Sequence, residues 1–189
     1  MQPTRDGATE SYPLDLDTSL STPLHLNAAY SSSQTMLSSV TTAIVSHPSL
    51  TSSGARVALS AAELRAKEIG IPMNIAIADS HIHLLAFTPM DNAKITSIAI
   101  AIDKAFTASG HRVPTSAYKR TVWSGGVAFG IGHTNGGRFC TIGGGVPILD
   151  GEGNVLGAVG CSSGSPAQDE EVARAGYEAV LEVIGRETL

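Results

Sequence analysis

Two short apolar runs, Val146 to Leu149 and Val155 to Cys161, are separated by Asp150-Gly151-Glu152-Gly153-Asn154. Glycine accepts positive φ at no steric cost, and Asp and Asn bond to their own backbone, so this segment reverses the chain. The two runs must then pair as an antiparallel hairpin, and the rest of the fold has to cover it. A second hairpin precedes it. Pro72 blocks helix, Asn74 to Ala78 alternates Ile75 and Ile77 with smaller residues, and Asp79-Ser80 turns the chain into a strand over Ile82 to Thr88. An apolar run, Phe139 to Ile142, is strand-like too and lies inside the glycine-dense stretch Gly125 to Gly145.

Helical spacing fills the gaps between strands. Val57, Ala58, Ala61, Ala62, Leu64 and Ile69 recur at steps of three and four, with Ser52 or Ser53 as caps and Gly70 as the stop. Ile95, Ile98, Ala99, Ile102 and Phe106 mark one face of a helix ending near Gly110, and Pro114 opens a shorter helix through Trp123. The final helix has the best-marked start, Ser165-Pro166-Ala167-Gln168: Ser as cap, Pro first and Gln third. Its apolar face runs through Val172, Ala175, Ala179, Val180 and Ile184. This order predicts an α/β (α+β) domain, an antiparallel sheet of about five strands with helices packed on its faces.

Residues 1–53 form an N-terminal extension rich in Ser, Thr and Pro, with a short amphipathic helix expected over 34–45 from Met36, Leu37, Val40, Ile44 and Val45. Residues 54–189 form the domain proper. Charged residues make up 15% of the chain and apolar ones 42%, which excludes a disordered tail, while no apolar run approaches the ~18 residues of a membrane span. A net charge of -5 and only 12 Lys and Arg argue against nucleic acid as a partner. Cys140 and Cys161 are too few for a disulfide framework, and no basic n-region opens the chain, so a cytoplasmic location is expected.

Four segments carry a resemblance. They are Ile75-Ala76-Ile77-Ala78-Asp79, Ala101-Ile102-Asp103-Lys104-Ala105-Phe106-Thr107-Ala108, Gly143-Gly144-Gly145-Val146-Pro147, and Gly157-Ala158-Val159-Gly160-Cys161-Ser162 followed by Gln168-Asp169-Glu170. In this order, over about Ala55 to Ile184, they resemble the GlcG/HbpS family, often labelled haem-degrading, and the related C-terminal domain of PduO-type cobalamin adenosyltransferases. The resemblance implies a sheet with helices on its faces, a homo-oligomer, and binding of haem, a corrinoid or another small ligand. The chain departs from the family pattern at Ser80-His81-Ile82-His83, at Thr88-Pro89-Met90-Asp91-Asn92 and at Ser163.

Several residues are candidates for the chemistry. His81 and His83, two apart on an expected strand, share a face and could share a metal or flank a ligand, or simply face solvent on a turn and an edge strand. His111 and Arg112 follow a helix end, where the dipole favours cations; at a pocket mouth they would instead clamp a carboxylate. His133 lies in the glycine loop, where the backbone can approach a ligand closely. Gly143, Gly144 and Gly145 form either a turn or a row of N–H donors for an anion. Lys104 is a solvated helix residue or a desolvated base, and Asp169 and Glu170 either answer the helix dipole or face a ligand.

No HExxH, CxxC or nucleotide fingerprint is present, so neither a metal nor a nucleotide cofactor is expected. The leading function is binding of haem, or a similar flat carboxylated molecule, in a pocket between sheet and helices. The alternative is an isomerase, cyclase or lyase without nucleotide cofactor, using His133, His111 or Lys104 for proton transfer. A third reading is a structural subunit assembled through its extension.

Overall fold

A computed structural model describes residues 43–187. The expected helix over 34–45 falls, for residues 34–42, outside the described residues. The chain divides after Val45, and the compact body starts at Ser46.

That body is an antiparallel sheet with helices on both faces, as expected of its fold class. In chain order it runs α1 (Ser52–Glu68), β1 (Asn74–Asp79), β2 (Leu84–Pro89), α2 (Ser97–His111), a 3-10 turn (Thr115–Arg120), two shorter 3-10 turns (Ile131–His133 and Asn135–Gly137), β3 (Gly145–Leu149), β4 (Val155–Ser162) and α3 (Pro166–Glu187). The strand order is β2-β1-β4-β3, every pair antiparallel. Asn74 opposes Ser162 and Asp79 opposes Gly157, so the two hairpin turns lie at the same end of the sheet.

The strand count is four among the described residues, one fewer than expected. Phe139 to Ile142 is not a strand because side chains take up its backbone groups. Cys140 N–H donates to Thr107 Oγ1 at 2.9 Å, and Thr115 Oγ1 donates to the Ile142 carbonyl at 2.7 Å. The same Thr115 hydroxyl accepts from Gly145 N–H, which leaves it no role as a helix cap, and the expected helix from Pro114 to Trp123 contracts to the 3-10 turn. His81 and His83 lie in the β1–β2 turn rather than on β2, which begins at Leu84. Ile82 between them has a positive φ of 64°.

Alternation along β1 sorts the core into two layers. Ile75 and Ile77 join Val159, Cys161, Val172 and Ala58 against α1 and α3, whereas Ala76 and Ala78 meet Ala101 and Ala105 of α2. The helices dock only in part on the apolar stripes counted in the sequence: Ala58 and Ala62 of α1 are buried as expected, whereas α2 turns a face of small residues inward. On α2 the buried residues are Ser97, Ala101, Lys104, Ala105, Thr107, Ala108 and Ser109, while Ile95, just before the helix, is 81% exposed. On α1 they are Ala55, Ala58, Ala62 and Ala66, and Leu64 is exposed.

Close approach explains the preference for small residues. A Cβ on Gly160 would lie 2.2 Å from the Ala101 carbonyl oxygen, and one on Gly176 would lie 2.8 Å from the Ala58 carbonyl oxygen. Helix backbones rest almost directly on the sheet and on each other. Gly160→Ala should therefore destabilise the fold by about 3 kcal/mol or more through overpacking. Urea unfolding checks this, and a loss under ~0.5 kcal/mol would mean that α2 is not seated as described.

Candidate functional site

The side chain of Lys104 is 1% exposed at the middle of α2. Its Nζ donates to Asp169 Oδ2 at 2.6 Å and to the Cys161 carbonyl at 2.9 Å, joining α2 to α3 and β4. Asp169 accepts a further bond on Oδ1 from Gly164 N–H at 2.8 Å, so both ions are enclosed and bonded. Gly144 roofs this pair, and Gly145 packs on the Lys104 backbone. A Cβ on Gly144, whose φ is 121°, would lie 2.6 Å from Asp169 Cβ and 2.7 Å from Lys104 Nζ. The N–H of Gly145 is bonded to Thr115 Oγ1 at 2.9 Å and is not presented to an anion.

At the hairpin-turn end of the sheet, a cleft of about 290 Å³ opens between the β1–β2 turn, the β3–β4 turn, the end of α2 and the segment before α1. His47, Ser80, His81, Ser109, Arg112 and Asn154 line it. Its shape depends on Asp79. One carboxylate oxygen accepts from His81 N–H at 2.9 Å and from His83 N–H at 2.8 Å, and the other meets His83 Nδ1 at 3.0 Å. Ser109 Oγ ties the Asp79 carbonyl to α2 at 2.7 Å, and Ser80 Oγ reaches Ser49 Oγ at 2.8 Å. Arg112, held in the left-handed region at φ 61°, has no ion-pair partner among the described residues, nor does the imidazole of His47.

A second cleft, of about 370 Å³, lies near the start of α3. Gly143 and Glu170 meet there with Ser116, Lys119, Ile142 and Pro166. The other sequence candidates lie apart from both clefts. His133 is exposed on a 3-10 turn, and His111 bonds the Tyr118 hydroxyl and packs edge-on against Phe139 at 4.5 Å. His83 is taken up by Asp79.

The two thiols are free, and burial pushes both Cys140 and Cys161 above the ordinary thiol value, so neither is a thiolate at neutral pH. Among the described residues no cluster of three or more His, Cys, Asp or Glu is placed to hold a metal ion. No helix among them is long and apolar enough to cross a membrane.

Two contributors escaped the sequence reading. His47 lies in the Ser- and Thr-rich extension, where no periodicity marks it. Lys119 follows a proline-started turn with no motif of its own. The burial of Lys104 left a trace, since Lys104 lies three residues after Ala101 and four before Ala108 on the small-residue face of α2.

The fold and motifs define a domain of HbpS-like type. Residues 50–178 match the family model of haem-degrading HbpS-like proteins, and the chain belongs to that family. It is 33% identical over 134 residues to an uncharacterised 15.0 kDa protein of the dhaT-dhaS intergenic region of Citrobacter freundii, covering 71% of this chain and 94% of that one. Among solved structures it is similar to protein ORFY of Klebsiella pneumoniae, with a TM-score of 0.73 and 28% identity over 75% of this chain and 97% of that one. It is similar also to PduOC, crystallised as a haem complex, with a TM-score of 0.65 and 28% identity over 69% of this chain and 94% of that one. The GlcG/HbpS resemblance read from the four segments is thereby borne out.

Asp79 predicts a pH dependence. Burial raises its carboxyl, but the His83 N–H, the His83 ring and the His81 N–H outweigh that and hold it below the ordinary value of 3.8. A depressed folded value means stability that is complete above pH ~4 and lost as pH falls through the folded value. Asp79→Asn should cost about 1–3 kcal/mol at pH 7, and the gap to the wild type should narrow at a pH well below ~4. Urea unfolding at both pH values checks it, and a gap that does not change with pH would show that the charge is not what holds the turn.

Proposed function

We propose that this chain binds haem, or a similar flat carboxylated molecule, at the cleft lined by His47, His81 and Arg112. The convergence of two imidazoles and an unpaired guanidinium on one cleft carries the reading. Imidazole is a common axial ligand of haem iron, and a guanidinium forms bidentate bonds to a carboxylate such as a propionate. His81 Nδ1 lies 3.3 Å from Ser80 Oγ, which fixes the ring and leaves Nε2 without a partner among the described residues. The residues present therefore fit the group. Bound haem would supply an iron centre; His81 and His47 would hold it, and Arg112 would orient its carboxylate edge. The cleft, at about 290 Å³, is too small to enclose a whole porphyrin, so a second copy of the chain would cover the remainder.

The haem complex of PduOC supports the ligand class, since that protein shares the fold and 28% of its sequence with this chain. Among the described residues no arrangement favours the isomerase, cyclase or lyase reading. Lys104 is committed to Asp169, and His133 stands apart on the surface.

Haemin titration of the full chain should give a saturable Soret shift at micromolar concentration. His47→Ala/His81→Ala should abolish the shift, and Arg112→Ala should weaken binding roughly tenfold or more, the loss of a charge-assisted bond. Light scattering on the same sample should give a mass above the 19.4 kDa of one chain. Absence of a shift, or an unchanged shift in the double variant, would overturn the haem assignment, and a single-chain mass would remove the second copy.

A further inference from the structure

The cleft beside α3 is separate from the histidine cleft, since it adjoins the start of β3 and the Ser162 end of β4 while the other adjoins the hairpin turns. Its walls are pinned rather than loose. Thr115 Oγ1 donates to the Ile142 carbonyl at 2.7 Å and accepts from Gly145 N–H at 2.9 Å, which fixes the 140s loop against the 3-10 turn. On the opposite side Ser165 and Gln168 cap α3 reciprocally, with Gln168 Oε1 accepting from Ser165 N–H at 3.0 Å.

Gly143 keeps the floor open. A Cβ there would lie 3.3 Å from both the Pro166 carbonyl oxygen and Ser116 Cβ, and 3.5 Å from Glu170 Oε2, so any side chain would fill the space. The lining is apolar at Ile142, Pro166 and Ala167, and Ile142 is half exposed toward it. Polar groups stand around this surface: the hydroxyls of Ser116 and Thr141, the Glu170 carboxylate and the Lys119 ammonium.

The two charges are not equivalent. Glu170 is neutralised by Arg174 at 2.7 Å on the next turn of α3, whereas Lys119 has no ion-pair partner among the described residues. The uncompensated charge at the rim is therefore positive, over an apolar floor.

We propose that this cleft is a second ligand site, built for a small apolar carboxylate whose body lies on Ile142, Pro166 and Ala167 and whose anionic end meets Lys119. A built-in reporter makes the site measurable. Trp123 is the chain's single tryptophan, and its indole N–H donates to the Lys119 carbonyl at 2.7 Å.

Fluorescence of the full chain should be titrated with 1-naphthoate, 1-naphthylmethanol and 1-naphthylmethylamine, which share an aromatic body and differ in charge. The naphthoate should quench Trp123 saturably and bind about tenfold tighter than the alcohol or more, with the amine weakest. Lys119→Glu should reverse the order of acid and amine. Ile142→Ser, at a half-exposed position, should weaken all three by about tenfold, with the thermal midpoint showing that each variant is folded. Arg112→Ala, in the other cleft, should leave these titrations unchanged, so loss of haem binding and loss of this site are read separately. Equal affinity for the three probes, no saturable quenching, or an acid preference that survives Lys119→Glu would overturn the assignment.

Discussion

The ion pair between Lys104 and Asp169 fixes how the layers of this domain meet. Its ammonium and carboxylate are both enclosed, and between them they bind the middle of α2, the first turn of α3, the end of β4 and Gly164, two residues before α3. Glycine at 144 is required because any side chain there would collide with the pair. A buried ion pair repays its desolvation only if every bond is made, so this arrangement tolerates little displacement of the three elements. The clefts are set by the same elements: the end of α2 borders the histidine cleft, and the start of α3 borders the other.

Close packing of small residues is the second constraint, and it separates what was legible in the sequence from what was not. Turn chemistry at Asp150 to Asn154 and the capping signature at Ser165 to Gln168 placed the β3–β4 hairpin and α3 correctly, because both are local signals. The docking face of α2, and Leu64 on α1, were misread because hydrophobic spacing favours Leu and Ile. At Gly160 and Gly176 the backbone of the facing helix comes so close that even a Cβ has no room, and the helix residues against them are alanines. The Phe139 to Ile142 run failed as a strand for a non-local reason. Its partners are hydroxyls of Thr107 and Thr115, more than twenty residues earlier in the chain.

The candidate sites were legible in parts. His81 and Arg112 were readable as ligand residues and share a cleft, and Gly143 and Glu170 share the other. What the sequence could not show is which groups are spent internally. Asp79 holds the His81–His83 turn, His111 is satisfied by Tyr118, and Lys104 and Asp169 satisfy each other. Such pairings depend on three-dimensional closure, and a charged residue on a helix gives no sign of its partner sixty-five residues away.

A double-mutant cycle on the buried pair tests most directly whether it holds these layers together. Lys104→Met and Asp169→Leu should each cost about 3–5 kcal/mol in urea unfolding, because each strands a buried charge. The double variant should cost much less than the sum, leaving a coupling energy of about 2 kcal/mol or more. Single losses under ~1 kcal/mol, or strictly additive ones, would contradict the account.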